Sequence, residues 1–369
     1  MTMPAHDIAA TWRDGVLQRL LGLTHPVVQG PFGGGLSSVE LAATVSQAGG
    51  LGSFGGHALE PTALGDLVTE LRQATTRAFA VNLWVPQSGE TELELGQEQY
   101  ETQLRRLRPY LDELELPDPP RPTAGPNFDA QVAALLDAAP PVISFVMGVP
   151  PSDVLAEARR RGIATIGTAT TAAEAEALAT AGVDAVVASG SDAGGHRGAF
   201  LRPVEESLVG TFSLIPQVAD AVDVPVIAAG GIADARGVVA ALVLGADAVQ
   251  IGTAFLVTPE SAVSEVHRAA ILGPEARSTV LTRVFSGRTA RGIPNRFLRE
   301  MSRYADDIPS YPLQNALTGG IRRAANERGR GDLVHLWAGS AAPLARGGPA
   351  AEVYRSLVAE TENLLGLPT

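Results

Sequence analysis

The stretch Gly182-Val183-Asp184-Ala185-Val186-Val187 returns sixty-odd residues later as Gly245-Ala246-Asp247-Ala248-Val249-Gln250. Each copy begins with a glycine where a helix would end in a left-handed residue, and a short apolar run follows at once. The helix before the first copy has Thr171 and Glu174 spaced as a capping box, and Asp234 caps the helix before the second. Two copies of one helix–glycine–strand unit predict a sheet wound from βα modules.

The same alternation of short apolar runs and helical patterns extends from about residue 25 to residue 256. Strands that alternate with helices favour βαβ units and a parallel sheet, and eight of them fit one closed barrel. We therefore predict an α/β protein with a (β/α)8 TIM barrel over residues 1–258. The eight predicted strands are Pro26–Gln29, Leu51–Ser53, Phe79–Trp84, Val142–Phe145, Ala164–Gly167, Ala185–Ala188, Val226–Ala229 and Ala248–Ile251.

Two stretches depart from this rhythm. Residues 86–127 form an acidic, then proline-rich insertion after strand three, with the proline-rich run at Pro117–Pro122 and a predicted helix at Gln97–Leu111. Residues 259–369 carry helical patterns broken by glycine and proline, and we predict a C-terminal helical extension that caps one barrel end. The alternative is that this extension only packs on the outside of the barrel.

Composition narrows the function further. The chain has 369 residues, 45% of them hydrophobic, no cysteine and a formal net charge of −12. The absence of cysteine excludes disulfides, iron–sulfur clusters, thiolate nucleophiles and cysteine zinc sites, and we expect no metal centre. The negative charge argues against a nucleic-acid partner. Residues 1–23 contain no apolar run long enough for a signal or a membrane span, so we expect a cytoplasmic protein that does not bind membranes.

Glycine-rich motifs occur at several predicted strand ends. The run Gly50–Gly55 fits G-x-G-x-x-G, but a helix precedes it and a strand lies within it, which is the wrong context for a dinucleotide fingerprint. The loops Ala228–Asp234 and Gln250–Ala254 follow predicted strands seven and eight, where barrels commonly bind phosphate. Glycines there let backbone N–H groups approach an anion. We therefore predict a phosphate site, against the alternative that the glycines only turn corners.

A histidine among glycines follows predicted strand six, in the run Ser189–Gly198. His196 has backbone room for a ligand beside it, and imidazole suits acid–base work near neutral pH. Because the other histidines of the chain lack comparable surroundings in the sequence, His196 is the predicted catalytic residue. The alternative is an exposed loop histidine held by Asp192.

In combination, these motifs resemble class I nitronate monooxygenases, formerly called 2-nitropropane dioxygenases. The resemblance covers nearly the whole chain, and the order of the motifs makes it specific. Its motifs are Gln29-Gly30-Pro31, Asn82, Ala193–Gly198, Ser213–Val218, the two phosphate loops, Ser286–Gly292, Tyr311–Gln314 and Leu336–Gly339.

The resemblance implies FMN as cofactor and oxidation of a nitronate by O2 to a carbonyl compound and nitrite, with His196 as the active-site base. The implied partners are a small nitro compound and O2, and we expect a monomer or homodimer. The predicted cofactor-binding residues are Gln29, Gly30, Pro31, Asn82, Ser189, Gly194, Gly195, Gly230, Gly231, Gln250, Ile251, Gly252 and Thr253.

Two departures from the family pattern bear on the flavin and on the substrate. Ser189 and Asp192 are shorter than the usual glutamine and glutamate, so a flavin-ring hydrogen bond would be lost or carried by water. Val146 stands where the class I pattern often has histidine, which favours a more apolar or bulkier substrate. Val146 and Trp337 are the predicted substrate-contacting residues.

Three other functions compete with this interpretation. An FMN-dependent enoyl-thioester reductase or NAD(P)H:quinone reductase could use the same fold, although no independent nicotinamide motif is visible. A phosphate-binding barrel of the IMP dehydrogenase type needs a cysteine nucleophile, which this chain lacks. A non-enzymatic flavin-binding barrel would lack a base such as His196.

Overall fold

The computed structural model describes residues 8–88, 90, 95–121 and 125–368. Its strands are β1 (Val27–Gln29), β2 (Gly52–Gly55), β3 (Phe79–Trp84), β4 (Val142–Val146), β5 (Ala164–Ala169), β6 (Ala185–Ser189), β7 (Gly195–His196), β8 (Val226–Ala229), β9 (Ala248–Ile251), β10 (Val280–Thr282) and β11 (Ala290–Gly292). Eight of them form a parallel sheet in the order β1-β9-β8-β6-β5-β4-β3-β2. A parallel bridge between Val28 and Leu51 joins the two edges. The fold is therefore a TIM barrel, as predicted, and each predicted strand lies within two residues of an observed one.

Helices surround the barrel and extend over one end of it. They are α1 (Ile8–Asp14), α2 (Val16–Leu21), α3 (Val39–Gln47), α4 (Pro61–Ala74), α5 (Gln97–Glu113), α6 (Phe128–Ala138), α7 (Ser152–Arg160), α8 (Ala172–Ala181), α9 (Thr211–Ala219), α10 (Ala235–Val243), α11 (Thr253–Leu256), α12 (Glu265–Leu272), α13 (Arg296–Met301), α14 (Leu313–Glu327) and α15 (Ala350–Leu364). Short 3-10 turns lie at Val204–Glu206, Pro274–Arg277, Ser302–Asp307, Gly331–Leu333 and Ala342–Leu344. Among the described residues, no helix is long and apolar enough to cross a membrane.

The sequence repeat has a structural cause. Asp184 accepts hydrogen bonds from the backbone N–H of Thr165 at 2.7 Å and from its hydroxyl at 2.8 Å. Asp247 accepts in the same way from the N–H of Val226 at 2.8 Å. Each aspartate thus satisfies a backbone donor at or near the start of the neighbouring strand, which would otherwise be left unpaired. The repeated aspartates therefore fix successive strands at the N-terminal end of the barrel.

The capping predictions are mostly confirmed. Thr171 accepts from the N–H of Glu174, and Asp234 accepts from two N–H groups at the start of α10. Gly182 and Gly245 both adopt positive φ, as predicted for helix stops. The reciprocal contact of the capping box differs, because the Glu174 carboxylate accepts from Thr170 instead of from Thr171.

The insertion and the extension pack together. Leu107, Tyr110 and Leu111 of α5 share one apolar cluster with extension residues such as Phe285 and Phe297. We call α5 and residues 263–345 the cap. The predicted helix of the insertion is confirmed with bounds two residues longer, while part of the proline-rich run, Pro122, lies outside the described residues.

The last helix, α15, packs against the barrel. The four-residue α11 is too short to cover the sheet, and α15 packs instead against α3, α10 and α11. Tyr354 and Leu357 of α15 are buried in one cluster with Val27 and Val249. The C-terminal helix thus fills the position of an eighth barrel helix. The domain boundary at residues 258/259 stays a prediction.

Candidate active site

The C-terminal ends of the eight parallel strands meet at one mouth of the barrel. His196 follows β6 there, in the two-residue strand β7. This strand pairs antiparallel with β11, so that Ala290 lies opposite His196 and Arg291 lies opposite Gly195. β10, β11 and β7 form a small second sheet that joins the cap to the barrel. His196 therefore lies where the cap covers the mouth.

Three charged side chains hold the segment 189–201, which carries His196, in place by hydrogen bonds to its backbone. The buried Arg197 donates to the carbonyls of Ser189 and Gly190, both at 2.7 Å. Arg291 donates to the carbonyl of Ser191 at 2.8 Å. The fully buried Glu174 accepts from the N–H groups of Phe200 and Leu201 and so anchors the end of the segment. This bracing fixes the backbone on both sides of His196.

A serine from the cap fixes the imidazole. The Nε2 atom of His196 lies 2.8 Å from the Oγ of Ser286, which itself donates to the carbonyl of Arg288 at 3.1 Å. The backbone N–H of Arg288 also points at this oxygen, at 3.3 Å. A hydroxyl has one proton and two lone pairs, so all three contacts are satisfied when Nε2–H donates to Ser286. Nδ1 is then the unprotonated nitrogen that can act as a base.

The surroundings keep this histidine neutral. Burial, together with the smaller effects of the nearby His57 and Arg322, lowers the pKa of His196 to about 3. Burial likewise lowers the pKa of His57 to about 4, with a smaller effect from Arg288. Desolvation and positive neighbours both disfavour the charged imidazole, so the two effects act in the same direction.

Aromatic side chains enclose His196. The ring of Trp84, at the end of β3, lies 5.1 Å from the His196 ring between centroids. Trp337 and Tyr311, both from the cap, lie 5.5 and 6.4 Å away. The guanidinium of Arg288 lies over the rings of Trp84 and Tyr311 and forms an ion pair with Glu90. These groups form a largely apolar chamber with one paired cation in its wall.

The two glycine loops present free backbone donors. In the described part of the chain, the N–H groups of Gly230, Gly231 and Gly252 have no hydrogen-bond acceptor. Asp234 occupies the first N–H groups of α10, so that helix end is already capped. Thr253 accepts from the N–H of Gly339 at 3.0 Å and keeps its own hydroxyl proton for another acceptor. Free N–H groups beside an available hydroxyl fit an anion such as phosphate.

We call the N–H groups of Gly230, Gly231 and Gly252 together with the Thr253 hydroxyl the cradle. The backbone of the cap comes very close to the loops beside it. A Cβ atom added at Gly194 would lie 2.5 Å from the backbone of Ala338 and Gly339. Because no real Cβ atom tolerates that distance, glycine is required for the cap to reach the loops. The N–H of Ser340 donates to the carbonyl of Asp192 in the same region.

Comparison with known proteins shows the family to which this chain belongs. A family model described as nitronate monooxygenase matches residues 15–360. The chain belongs to the nitronate monooxygenase family. A probable nitronate monooxygenase of Staphylococcus aureus (strain Newman) is 40% identical over 356 residues, which are 96% of this chain and 99% of that relative. The protein is accordingly a flavin-dependent oxidoreductase.

Two solved structures are similar to this family member over nearly their whole length. A nitroalkane oxidase from Streptomyces ansochromogenes is 40% identical, with a TM-score of 0.85 over 95% of this chain and 99% of its own. FabK from Thermotoga maritima is 29% identical, with a TM-score of 0.74 over 95% and 96% of the two chains.

Most predicted cofactor residues lie at strand ends around the mouth, and their contacts to a flavin stay a prediction. Asn82 donates to the carbonyl and the hydroxyl of Ser144 at 3.2 and 3.0 Å. The fully buried Gln29 accepts from the N–H of Ser53 and donates to the carbonyl of Gly30, so its amide joins β1 to β2. The Gln29 amide is thus occupied inside the barrel, and a contact of this residue with the cofactor stays a prediction.

Several residues of the chamber were not assigned a role from the sequence. Ser286, Arg288 and Tyr311 lie far from His196 in the chain, and no local pattern links them to it. His57 is different, because it follows β2 directly behind Gly55 and Gly56, in the same kind of setting as His196. The inference that only His196 has such surroundings was therefore wrong. A histidine behind glycines at a predicted strand end was the signal available.

Proposed function

We propose that this protein is an FMN-dependent nitronate monooxygenase that oxidises a nitronate or nitroalkane with O2 to a carbonyl compound and nitrite. The observation that carries the proposal is the fixed, neutral imidazole of His196 at the mouth of a flavoprotein barrel. A base with this geometry can take the acidic proton next to a nitro group. Family membership supports the same chemistry.

FMN fits the cradle described above. Its single phosphate would be held by the N–H groups of Gly230, Gly231 and Gly252 and by the Thr253 hydroxyl, while Asn82 and the segment around Gly194 and Gly195 would border the ring. When bound, the flavin accepts electrons from the nitro substrate and passes them to O2. Beyond that single anion cradle, no second phosphate site was predicted from the sequence, which favours FMN over FAD.

His196 removes the α-proton from a neutral nitro substrate through Nδ1. Once protonated, the imidazolium stands beside the negative oxygens of the nitronate and stabilises them. Ser286 holds the ring in place throughout, and the chamber formed by Trp84, Tyr311 and Trp337 excludes water from the reacting groups.

The test of this function is the absorption spectrum of the purified protein, followed by turnover with a preformed nitronate. We expect a flavin spectrum, release of FMN on denaturation, and O2-dependent formation of nitrite. Consumption of NAD(P)H in the absence of a nitro compound would instead support the reductase alternative. Bound flavin without turnover on any of these substrates would support a binding protein.

Removing the partner of His196 should lower activity without removing the base. In Ser286→Ala, Nε2 loses the acceptor that orients it, and one neutral hydrogen bond contributes about 0.5–1.5 kcal/mol. We expect kcat/KM for a neutral nitroalkane to fall by roughly 2- to 10-fold, and activity on the preformed nitronate to fall less. Ser286→Thr, which keeps a hydroxyl, should restore part of the loss. Equal rates for wild type and Ser286→Ala would show that the contact does not orient the base.

The pH profile should reflect the low pKa of His196. A group whose pKa falls on folding stays unprotonated above the lowered value, here about 3. An ordinary histidine with a pKa near 6.5 would instead lose its basic form as the pH falls toward 5. We therefore expect kcat/KM for the neutral nitroalkane to show no inflection near pH 6.5 between pH 5 and 8. An acidic limb at pH 6.5 would contradict a neutral, desolvated base.

A further inference from the structure

We propose that His57 is a second substrate-binding residue, whose imidazole donates a hydrogen bond from Nε2 to a nitronate oxygen. The inference rests on the proposed function and adds a residue to that same site. Its first support is position, because His57 follows β2 at the mouth of the barrel and stacks on Trp84, whose ring also contacts His196.

The ring of His57 is held in one orientation. It stacks on Trp84 with centroids 3.9 Å apart and planes inclined by 4°. On another side it lies against Gly33, where a Cβ atom would come within 2.5 Å of its Cε1. Its backbone carbonyl accepts from Gln131 at 3.0 Å. An imidazole this closely packed cannot turn freely, so its two nitrogens have fixed directions.

Those two nitrogens have different environments. Nδ1 is buried and has no hydrogen-bond partner. A buried N–H without an acceptor is costly, so the favoured tautomer of a neutral imidazole has its proton on Nε2. His57 is partly exposed, and no hydrogen bond among the described residues involves its Nε2, which is not one of the buried side-chain atoms. Nε2–H is therefore an accessible donor, on a ring that stacks against Trp84 in the chamber wall.

The rest of the chamber wall explains why this donor matters. The guanidinium of Arg288 already forms an ion pair with Glu90. The Trp84 ring contacts the chamber mainly through its apolar carbon atoms and lies under that guanidinium. Val146, which lies opposite Trp84 on the neighbouring strand, has no polar atom to offer. His57 therefore adds a neutral N–H donor to a chamber whose other free donor in this wall is Nη1 of Arg288, which is buried and has no partner among the described residues. A neutral N–H donor also suits a nitronate, since it stabilises the anion without giving up its proton.

Two substitutions separate hydrogen bonding from stacking. His57→Phe keeps a flat ring against Trp84 and removes the donor, whereas His57→Gln keeps an N–H donor and removes the aromatic stack. We expect kcat/KM for preformed propane-2-nitronate to fall by about 10- to 100-fold in His57→Phe, as for loss of a hydrogen bond to a charged group. His57→Gln should retain activity within a few-fold of wild type.

A measurement without turnover completes the test. Nitrite, a small oxyanion, is titrated into the oxidised holoprotein and followed by the perturbation of flavin absorbance. We expect its Kd to rise in His57→Phe by about the same factor as kcat/KM falls, with FMN content and thermal unfolding unchanged. If His57→Phe fails to retain FMN, His57→Leu, which is close to histidine in volume, takes its place.

Each other outcome overturns the inference. A His57→Phe variant with wild-type kcat/KM and nitrite affinity would mean that His57 only stacks. A defect confined to His57→Gln would mean that the ring, and not the donor, is needed. Loss of FMN affinity with a shifted flavin spectrum in both variants would mean that His57 binds the flavin instead. Absence of nitronate turnover in the wild type would contradict the proposed function itself, which is a distinguishable result.

Discussion

Replacing His196 with asparagine is expected to slow oxidation of a neutral nitroalkane by about 10²- to 10⁴-fold, the usual contribution of a general base. Asparagine has no basic nitrogen and cannot accept the α-proton. A preformed nitronate needs no deprotonation, so its oxidation should suffer less and lose only the contact with the imidazolium. The two rates, measured on the same flavin-loaded protein, separate proton abstraction from binding.

A second histidine serves as the control. His25 precedes β1 at the opposite end of the barrel, where it contacts Trp12 and Tyr354. His25→Gln should leave both rates near wild type. FMN should remain bound in His196→Asn, because the phosphate cradle consists of other residues. Large, equal losses on both substrates would assign His196 an orienting or electrostatic role, and unchanged rates would make it a structural residue.

The barrel was predictable because its signals are local. The repeated glycine–aspartate–strand unit and the helix caps lie within a few residues of the elements that they define, and their hydrogen bonds are also short-range in the fold. The Asp184 and Asp247 contacts show why the repeat is visible at all, since each copy performs the same task between neighbouring strands. Element bounds consequently differed from the prediction by at most two residues at any strand end.

The second sheet could not be predicted in this way. β7 has only two residues, one of them glycine, and becomes a strand because β11 pairs with it. The hydrogen bond between His196 and Ser286 joins residues 90 positions apart in the chain. No propensity or periodicity encodes such a contact. The candidate base could therefore be proposed from the sequence, while the serine that contacts it required the structure.

The substrate remains less constrained than the cofactor for a related reason. The proposed phosphate cradle consists of backbone N–H groups in glycine loops, which leave a clear pattern in the sequence. The substrate chamber is formed by side chains from β3, the segment after β2 and the cap, and these are assembled by packing alone. Trp337 lies beside His196 as its predicted role requires, but its contact with substrate stays a prediction.

The second large expected effect concerns the cradle: replacing Gly231 with valine should cause loss of FMN. Gly231 has φ +72°, and a Cβ atom there would lie 3.2 Å from the Cβ of Asp192. A β-branched side chain both disfavours this backbone conformation and occupies space beside the free N–H groups. We expect the purified variant to be largely apo, with FMN added in excess failing to restore the wild-type flavin spectrum.

A matched glycine separates local strain from loss of the cradle. Gly245 also has positive φ, +103°, but lies before β9 at the other end of the barrel, with the Cβ of Ala219 at 3.0 Å from an added Cβ. Gly245→Val should therefore lower the free energy of unfolding, by roughly 1–2 kcal/mol for the backbone alone, yet retain FMN in the protein that folds.

A milder change at Gly231 grades the effect. Because asparagine tolerates positive φ, Gly231→Asn should bind FMN better than Gly231→Val but less well than wild type. Full FMN occupancy in Gly231→Val would place the phosphate elsewhere, whereas equal loss of FMN in both valine variants would mean that the flavin is released by general destabilisation. Loss confined to Gly231→Val is the result that assigns the phosphate to the loop after β8.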